Sequence, residues 1–264
     1  MSTNPYAAPK AQVADETVVL RDNFIPEGRV VSPANGLFWI ASGWSIFRAE
    51  AGIWIAMALL FGVIFVVLSM LPFVGPVVLS LVLPVFVAGF VVTSRTIDLG
   101  GDARFEQLFA GFKHRLGSLV VVGLISLAIS FAITVIVLAI TGVSFATLAT
   151  PPTDPAAAAQ FAITMVLASL IILALTLPVV MATWFAPALI VFHELAPIEA
   201  MKVSFLGCLK NVLAFLLYGL ILLLPAIVAT LPILLGWLVL GPIVAGSVYA
   251  AYRDIYFADE ASAG

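Results

Sequence analysis

Six apolar segments dominate this chain, near residues 51–71, 76–96, 117–141, 161–186, 211–230 and 232–252. Each is long enough to cross a bilayer core of about 30 Å, which takes about 20 helical residues. The rest of the sequence agrees: 63% of residues are hydrophobic, 9% are charged and mean hydropathy is +1.22. An ordinary soluble domain is about 45–50% apolar and about 25% charged, so this chain needs lipid as its solvent. The first two segments are joined by "PFVGP", a tight Pro/Gly turn that predicts a hairpin. A single helix over the last two would be about 63 Å long, twice the hydrocarbon thickness. They are therefore divided around Thr230 to Pro232. No charge falls between Phe161 and Phe192, which predicts a tilted helix, a kink at Pro178 or an end near Pro187.

The charges set the topology. All 11 Lys and Arg lie before the first segment, in the second or fourth loop, or at the C-terminal end. An even number of spans puts them all on one side, which the positive-inside rule makes the cytoplasm. The third loop, with Asp154 as its only charge, then faces outward. Residues 1–32 have no long apolar core, so no cleaved signal peptide is expected. They are expected to form a disordered cytoplasmic tail, with residues 257–264 as a second, shorter one.

Three stretches just ahead of spans are amphipathic and are expected to lie flat in the headgroup region. One carries Leu37, Ile40, Trp44 and Phe47, with Ser32 as N-cap before Pro33. The next carries Phe105, Leu108, Phe109, Phe112 and Leu116. The last carries Ile198, Met201, Phe205, Cys208 and Leu209, with Pro197 in its first turn. The phrase "FAGFKHRLGSLVVVGLI" at 109–125 has an echo in "FLGCLKNVLAFLLYGLI" at 205–221, and a weaker one in "IFRAEAGIWIAMALL" at 46–60. Pro84, Arg95 and Ile97 repeat their spacing in Pro242, Arg253 and Ile255. The reading is a threefold internal repeat over about 33–97, 101–192 and 197–256, each unit an interfacial helix followed by a transmembrane hairpin.

Chemistry is sparse. A charge at the centre of a span costs about 2.5–3.5 kcal/mol, and no Asp, Glu, Lys, Arg or His lies deep in any segment. This weighs against proton relays, voltage sensing and most ion-coupled transport. No catalytic or phosphate-binding motif is present. One cysteine and two distant histidines offer no metal cluster, and no cofactor is expected. His193 and Glu194 read as a polar helix end before an acid–base pair, His114 as a solvated residue and Cys208 as a packing residue. Pro84, Pro178, Pro225 and Pro242 read as kinks before broken helices around a site. Arg104, Lys113, Arg115, Lys202 and Lys210 are candidates to hold anionic lipid headgroups. Tyr249, Tyr252 and Arg253, in "YAAYRDIY", are either a recognition patch at the cytoplasmic mouth or an aromatic belt with a snorkelling arginine. Trp54, Trp184 and Trp237 fit the same belt.

The "NPYAAP" tail, "GWSIF" at 43–47, "APALIVFHELAPIEAMKVSFLGCLKN" at 186–211 and the closing "YAAYRDIYF" together resemble a family of proteobacterial six-helix membrane proteins without an assigned activity. The chain is more distantly similar to the membrane domain attached to some bacterial glycerophosphodiester phosphodiesterases. The resemblance implies an inner-membrane protein and carries no catalytic residue across. The expectation is an all-α polytopic membrane bundle of six transmembrane helices with three interfacial helices. Its expected role is a non-enzymatic scaffold or accessory protein that binds membrane lipids or another membrane protein, and no nucleic acid. The alternative is a transporter or permease for a neutral or lipid-like solute.

Overall fold

The computed structural model describes residues 24–232 and 234–257, with the side chains of residues 145 and 146 left aside. Every regular element among them is a helix. Helix α1 (Asn35–Ala49) follows a turn in which the Ser32 carbonyl accepts from the Asn35 N–H. Ser32 was expected to cap this helix; the helix starts later, with Ala34 at the cap. Helices α2 (Ala51–Ser69) and α3 (Val74–Asp98) form the expected hairpin. Its turn is tight: Phe73 is left-handed, and the Leu68 carbonyl occupies the space a methyl group on Gly75 would need. A 3₁₀ turn (Phe105–Phe109) and α4 (Ala110–Lys113) lead into α5 (Leu116–Thr141). Helix α5 ends at Gly142 with φ 71°, the left-handed stop that glycine supplies without strain. After the short α6 (Phe145–Ala149), α7 (Pro155–Trp184) starts with proline in its first turn. Asp154 caps it, accepting from the Ala157 N–H at 2.9 Å. Then come α8 (Ala186–His193), α9 (Pro197–Lys210), α10 (Val212–Thr230) and α11 (Trp237–Tyr256).

Five helical stretches are long and apolar enough to cross a membrane: α2, α3, α5, α7 with α8, and α10. Their outer faces expose large apolar side chains such as Phe131, Ile140, Leu173 and Leu224, a continuous surface suited to lipid rather than water. The sixth expected segment, 232–252, forms the 20-residue helix α11 but is not among the five. Its last turns carry Tyr249, Tyr252, Arg253 and Asp254, which lower its hydropathy. All four in-span prolines, Pro84, Pro178, Pro225 and Pro242, sit inside continuous helices. The long fourth segment instead breaks at Phe185, two residues before Pro187. There the Ser204 hydroxyl enters the helical ladder, accepting from the Phe185 N–H at 2.9 Å and donating to the Met181 carbonyl at 2.7 Å.

The element order reads short helix, long helix, long helix three times over, and the packing is cyclic. The short segment 105–113 packs on α3, α9 packs on α7 and α8, and α1 packs on α11. Each short helix thus docks on the last long helix of the preceding unit, and the first unit docks on the third. Glycine makes two of these contacts close. Gly111 meets the Val85 carbonyl and Gly43 meets the Ile243 carbonyl, and a methyl group at either glycine would clash. Val85 and Ile243 each directly follow the helix proline, Pro84 or Pro242.

The short helices bury part of the apolar stripes read from the sequence, Phe47, Leu108, Met201 and Cys208, and leave other stripe residues exposed. Helix α1 buries Gly36, Trp39, Gly43, Ile46 and Phe47 and exposes Leu37 and Trp44. Helix α9 buries Ala200, Met201, Ser204, Gly207 and Cys208 and exposes Ile198 and Leu209. Small residues let neighbouring backbones approach closely, so they take the protein side and leave bulk to the surroundings.

Candidate functional site at the charged end

The last turns of α3 and α11, the starts of α1 and α5, and the junctions around α9 share one end of the bundle, where most charged residues gather. Asp254 organises it. Its Oδ1 accepts from Arg29 Nη2 at 2.8 Å, and its Oδ2 accepts from Asn35 Nδ2 at 2.7 Å and Trp39 Nε1 at 2.8 Å. The Arg29 Nε–H also donates to the Asp254 backbone carbonyl. One carboxylate thereby fixes α11, α1 and the segment before α1. Asn211 is buried and holds the same segment from the other side. It accepts from the Val31 N–H at 2.8 Å and donates to the Arg29 carbonyl at 2.9 Å.

Part of the tail expected to be disordered is therefore docked. Residues 1–23 lie outside the described residues, as do 258–264. From Phe24 onward the chain pairs with the end of α11: the Ile25 N–H donates to the Tyr256 carbonyl and the Arg29 N–H to the Ile255 carbonyl. The Phe24 ring stacks on His193 with centroids 3.6 Å apart. Beneath it, His193 Nε2 and the Tyr252 hydroxyl are 2.5 Å apart. A polar composition read as disorder, because the partners of this backbone, Lys210, Asn211 and the end of α11, lie at least 180 positions away.

The candidate residues separate into three sets. Arg104 and Lys113 are exposed, near Glu106 at 3.5 and 4.0 Å. Lys202 is exposed on α9. Arg115 pairs with Glu194 at 2.6 Å, and both residues hold left-handed backbones at helix junctions. Lys210 is engaged with protein: its ammonium donates to the Glu27 carbonyl at 2.7 Å and the Gly28 carbonyl at 3.2 Å. The tyrosines are not a lipid-facing belt. Tyr249, Tyr252 and Tyr256 are buried, because α11 turns this face toward α3, α8 and α9. Trp54 is likewise fully buried, stacked on Phe90. Trp237 remains half-exposed and bonds Thr230. Cys208 is buried, as expected of a packing residue. Burial pushes its thiol up to about 12, against a counteracting hydrogen bond with Ser204.

Tyr249 and Arg253 meet at a half-open cleft of about 410 Å³ between α1, α11 and the end of α3. Arg253 pairs with Asp98, and the Tyr249 hydroxyl donates to the same carboxylate oxygen, Oδ2, at 3.1 Å. Ser42 and Ser45 line the α1 wall and Phe38 the apolar rim. Arg29 and Asp254 close the far side. Asp98, Ser42 and Ser45 were not singled out in the sequence, and Asp254 stood out only as a neighbour of Arg253 in "YAAYRDIY". The parallel spacing of Arg95 and Arg253 marked the right helix ends, without showing which acids those ends would meet.

A Burkholderia thailandensis protein described as a probable inner membrane protein is 27% identical over 204 residues, covering 72% of this chain and 73% of the relative. No family model and no solved structure matches. These comparisons carry no link to the glycerophosphodiester phosphodiesterases. With five apolar helices of spanning length and this relative, the chain is an all-helical integral membrane protein similar to a probable inner membrane protein.

Proposed function

We propose that this protein is a six-span inner-membrane protein with both termini in the cytoplasm, which acts by binding lipid or another membrane protein rather than by catalysis. Helix α11 serves as the sixth span. Its length of 20 residues suffices, and its polar residues face protein instead of lipid: Ser247, Tyr249 and Tyr252 are all buried. An even count again gathers the basic residues on one side.

The observation that carries the binding reading is the cleft at the charged end. It is open, lined by ionic and hydroxyl groups, and flanked on α1 by exposed Leu37, Phe38 and Trp44. That is the layout of a site for a molecule with a polar head and an apolar body. The Tyr249 hydroxyl in it meets a carboxylate, Asp98, that Arg253 already engages, and His193 is not in its wall and is stacked under Phe24. Native mass spectrometry of the protein, released from its own membrane in lipid nanodiscs, tests this. One lipid or one protein retained at fixed stoichiometry is the expected result. A bare chain with only bulk lipid would sink the proposal.

A permease for a neutral or lipid-like solute is the second reading, favoured by the cyclic docking of the three units. Continuous helices through all four prolines give it less support, since broken helices form the usual midplane site. Solute uptake into proteoliposomes, absent without protein, would move this reading to first place.

A further inference from the structure

The two ion pairs at the cleft differ in how fully they are used. Asp254 is saturated: both carboxylate oxygens accept, from Arg29, Asn35 and Trp39. Its work is to hold the fold together. Asp98 and Arg253 are not saturated. Both contacts to the Asp98 side chain fall on Oδ2, leaving Oδ1 without a partner among the described residues. Arg253 gives its Nη1 to that oxygen and makes no other side-chain hydrogen bond among the described residues, with its side chain 52% exposed. Ser42 and Ser45 add to this. Most helical hydroxyls among the described residues, such as Ser69, Ser80, Thr93, Ser94 and Ser126, bond the carbonyl four residues earlier. Ser42 and Ser45 make no such bond among the described residues, although both line the cleft.

The charges lining the cleft are Arg29, Arg253, Asp98 and Asp254, which sum to zero. A purely anionic headgroup would meet Asp98 as well as Arg253, and a purely cationic one the reverse. A molecule that carries both signs side by side satisfies both. An ammonium with N–H donors suits the open Asp98 Oδ1, and a phosphodiester suits the guanidinium and the serine hydroxyls. Apolar chains then leave over Phe38 toward the exposed face of α1. Resting on the binding reading above, we infer that the cleft takes a phosphoethanolamine group, a primary ammonium beside a phosphodiester, as found in phosphatidylethanolamine or in free glycerophosphoethanolamine.

The test uses the full chain in nanodiscs of phosphatidylethanolamine, phosphatidylcholine or phosphatidylglycerol, with retained lipid counted by native mass spectrometry. Choline keeps the charge but has no N–H donors, and glycerol has no cation. One phosphatidylethanolamine per chain, retained about 10-fold more than either of the others, is the expected result, since a hydrogen bond to a charged group carries about 1.5–3 kcal/mol. Arg253→Gln should lower retention about 10-fold, and Ser42→Ala with Ser45→Ala at least about 10-fold, by the same reasoning. The serine pair lies on the open side of α1, so its thermal unfolding should be unchanged. Competition by millimolar glycerophosphoethanolamine would make the free solute the source, and its failure the lipid. Equal retention of the three lipids, or retention insensitive to Arg253 and the serines, overturns the inference. A different lipid held at fixed stoichiometry overturns it while leaving the binding reading standing. No bound lipid or protein at all takes both down.

Discussion

Gly43 on α1 lies against the backbone carbonyl of Ile243 on α11, so the two helices cross at close range there. This contact joins the first unit to the third. A methyl group at Gly43 has nowhere to go, because Ser247 crowds the same point. Gly43→Ala is expected to destabilise the bundle by about 1–3 kcal/mol, the usual range for overpacking. Gly52→Ala, with open space around it, should leave stability unchanged or slightly raised. Thermal unfolding in one detergent, followed by loss of the monodisperse peak, compares them.

Asp254→Asn should release the segment before α1. Removing one partner of a buried pair costs about 3–5 kcal/mol, and Arg29 is 27% exposed, so about 2–3 kcal/mol is expected here. Protease cleavage between residues 24 and 31 should become fast in the variant and stay slow in the parent. Equal cleavage in both would show that the segment is held some other way.

Ser204 stands in for a missing rung of the helix at Phe185. Ser204→Ala leaves the buried Phe185 N–H without its acceptor, at a cost of about 1–3 kcal/mol. Hydrogen exchange at the Phe185 amide should speed up in the variant, while amides in α5 keep their protection.

Cys208 should resist maleimide at pH 8 in the folded protein and react at once on unfolding, since its thiol is buried and pushed up to about 12. The sign for stability follows. The folded state keeps a proton that the unfolded chain releases above its ordinary value of 9.0, so stability falls as pH rises past that point. Cys208→Ala should remove this part of the alkaline loss; an unchanged pH profile would assign the loss to other groups.

The topology is open to a direct check. Reporter fusions after Asp154 and after Gly264 are expected on opposite sides of the membrane. Signals from the same side would mean an even number of crossings between them and exclude α11 as the sixth span.

The long helices were legible because lipid imposes a length: about 20 apolar residues mark a span whatever surrounds it. Their ends were less legible: α7 starts at Pro155, ahead of the segment read from 161, because Asp154 caps it, and Gly142 stops α5. The short helices were legible as helices, but their buried faces only in part. Large apolar residues such as Leu37 and Ile198 stood out, yet Gly43, Ala200, Ser204 and Gly207 do the packing. In water a bulky stripe marks the core. In lipid both sides are apolar, and close approach of backbones decides instead. The cleft was half legible. "YAAYRDIY" drew attention to Arg253, but Asp98 lies 155 positions away and no spacing rule connects them.

The cyclic docking has a consequence for synthesis. Segment 105–113 can settle on α3, and α9 on α7, soon after each emerges from the ribosome. Helix α1 cannot do the same, because its partner α11 is made only after all the helices between them. Until then the glycine face of α1 and the polar atoms of Arg29, Asn35 and Trp39 wait for Asp254. A chain made only as far as α10 therefore displays that unmatched surface, and one that includes α11 hides it. The join between α1 and α11 is a record, written in the structure, that translation has passed α11.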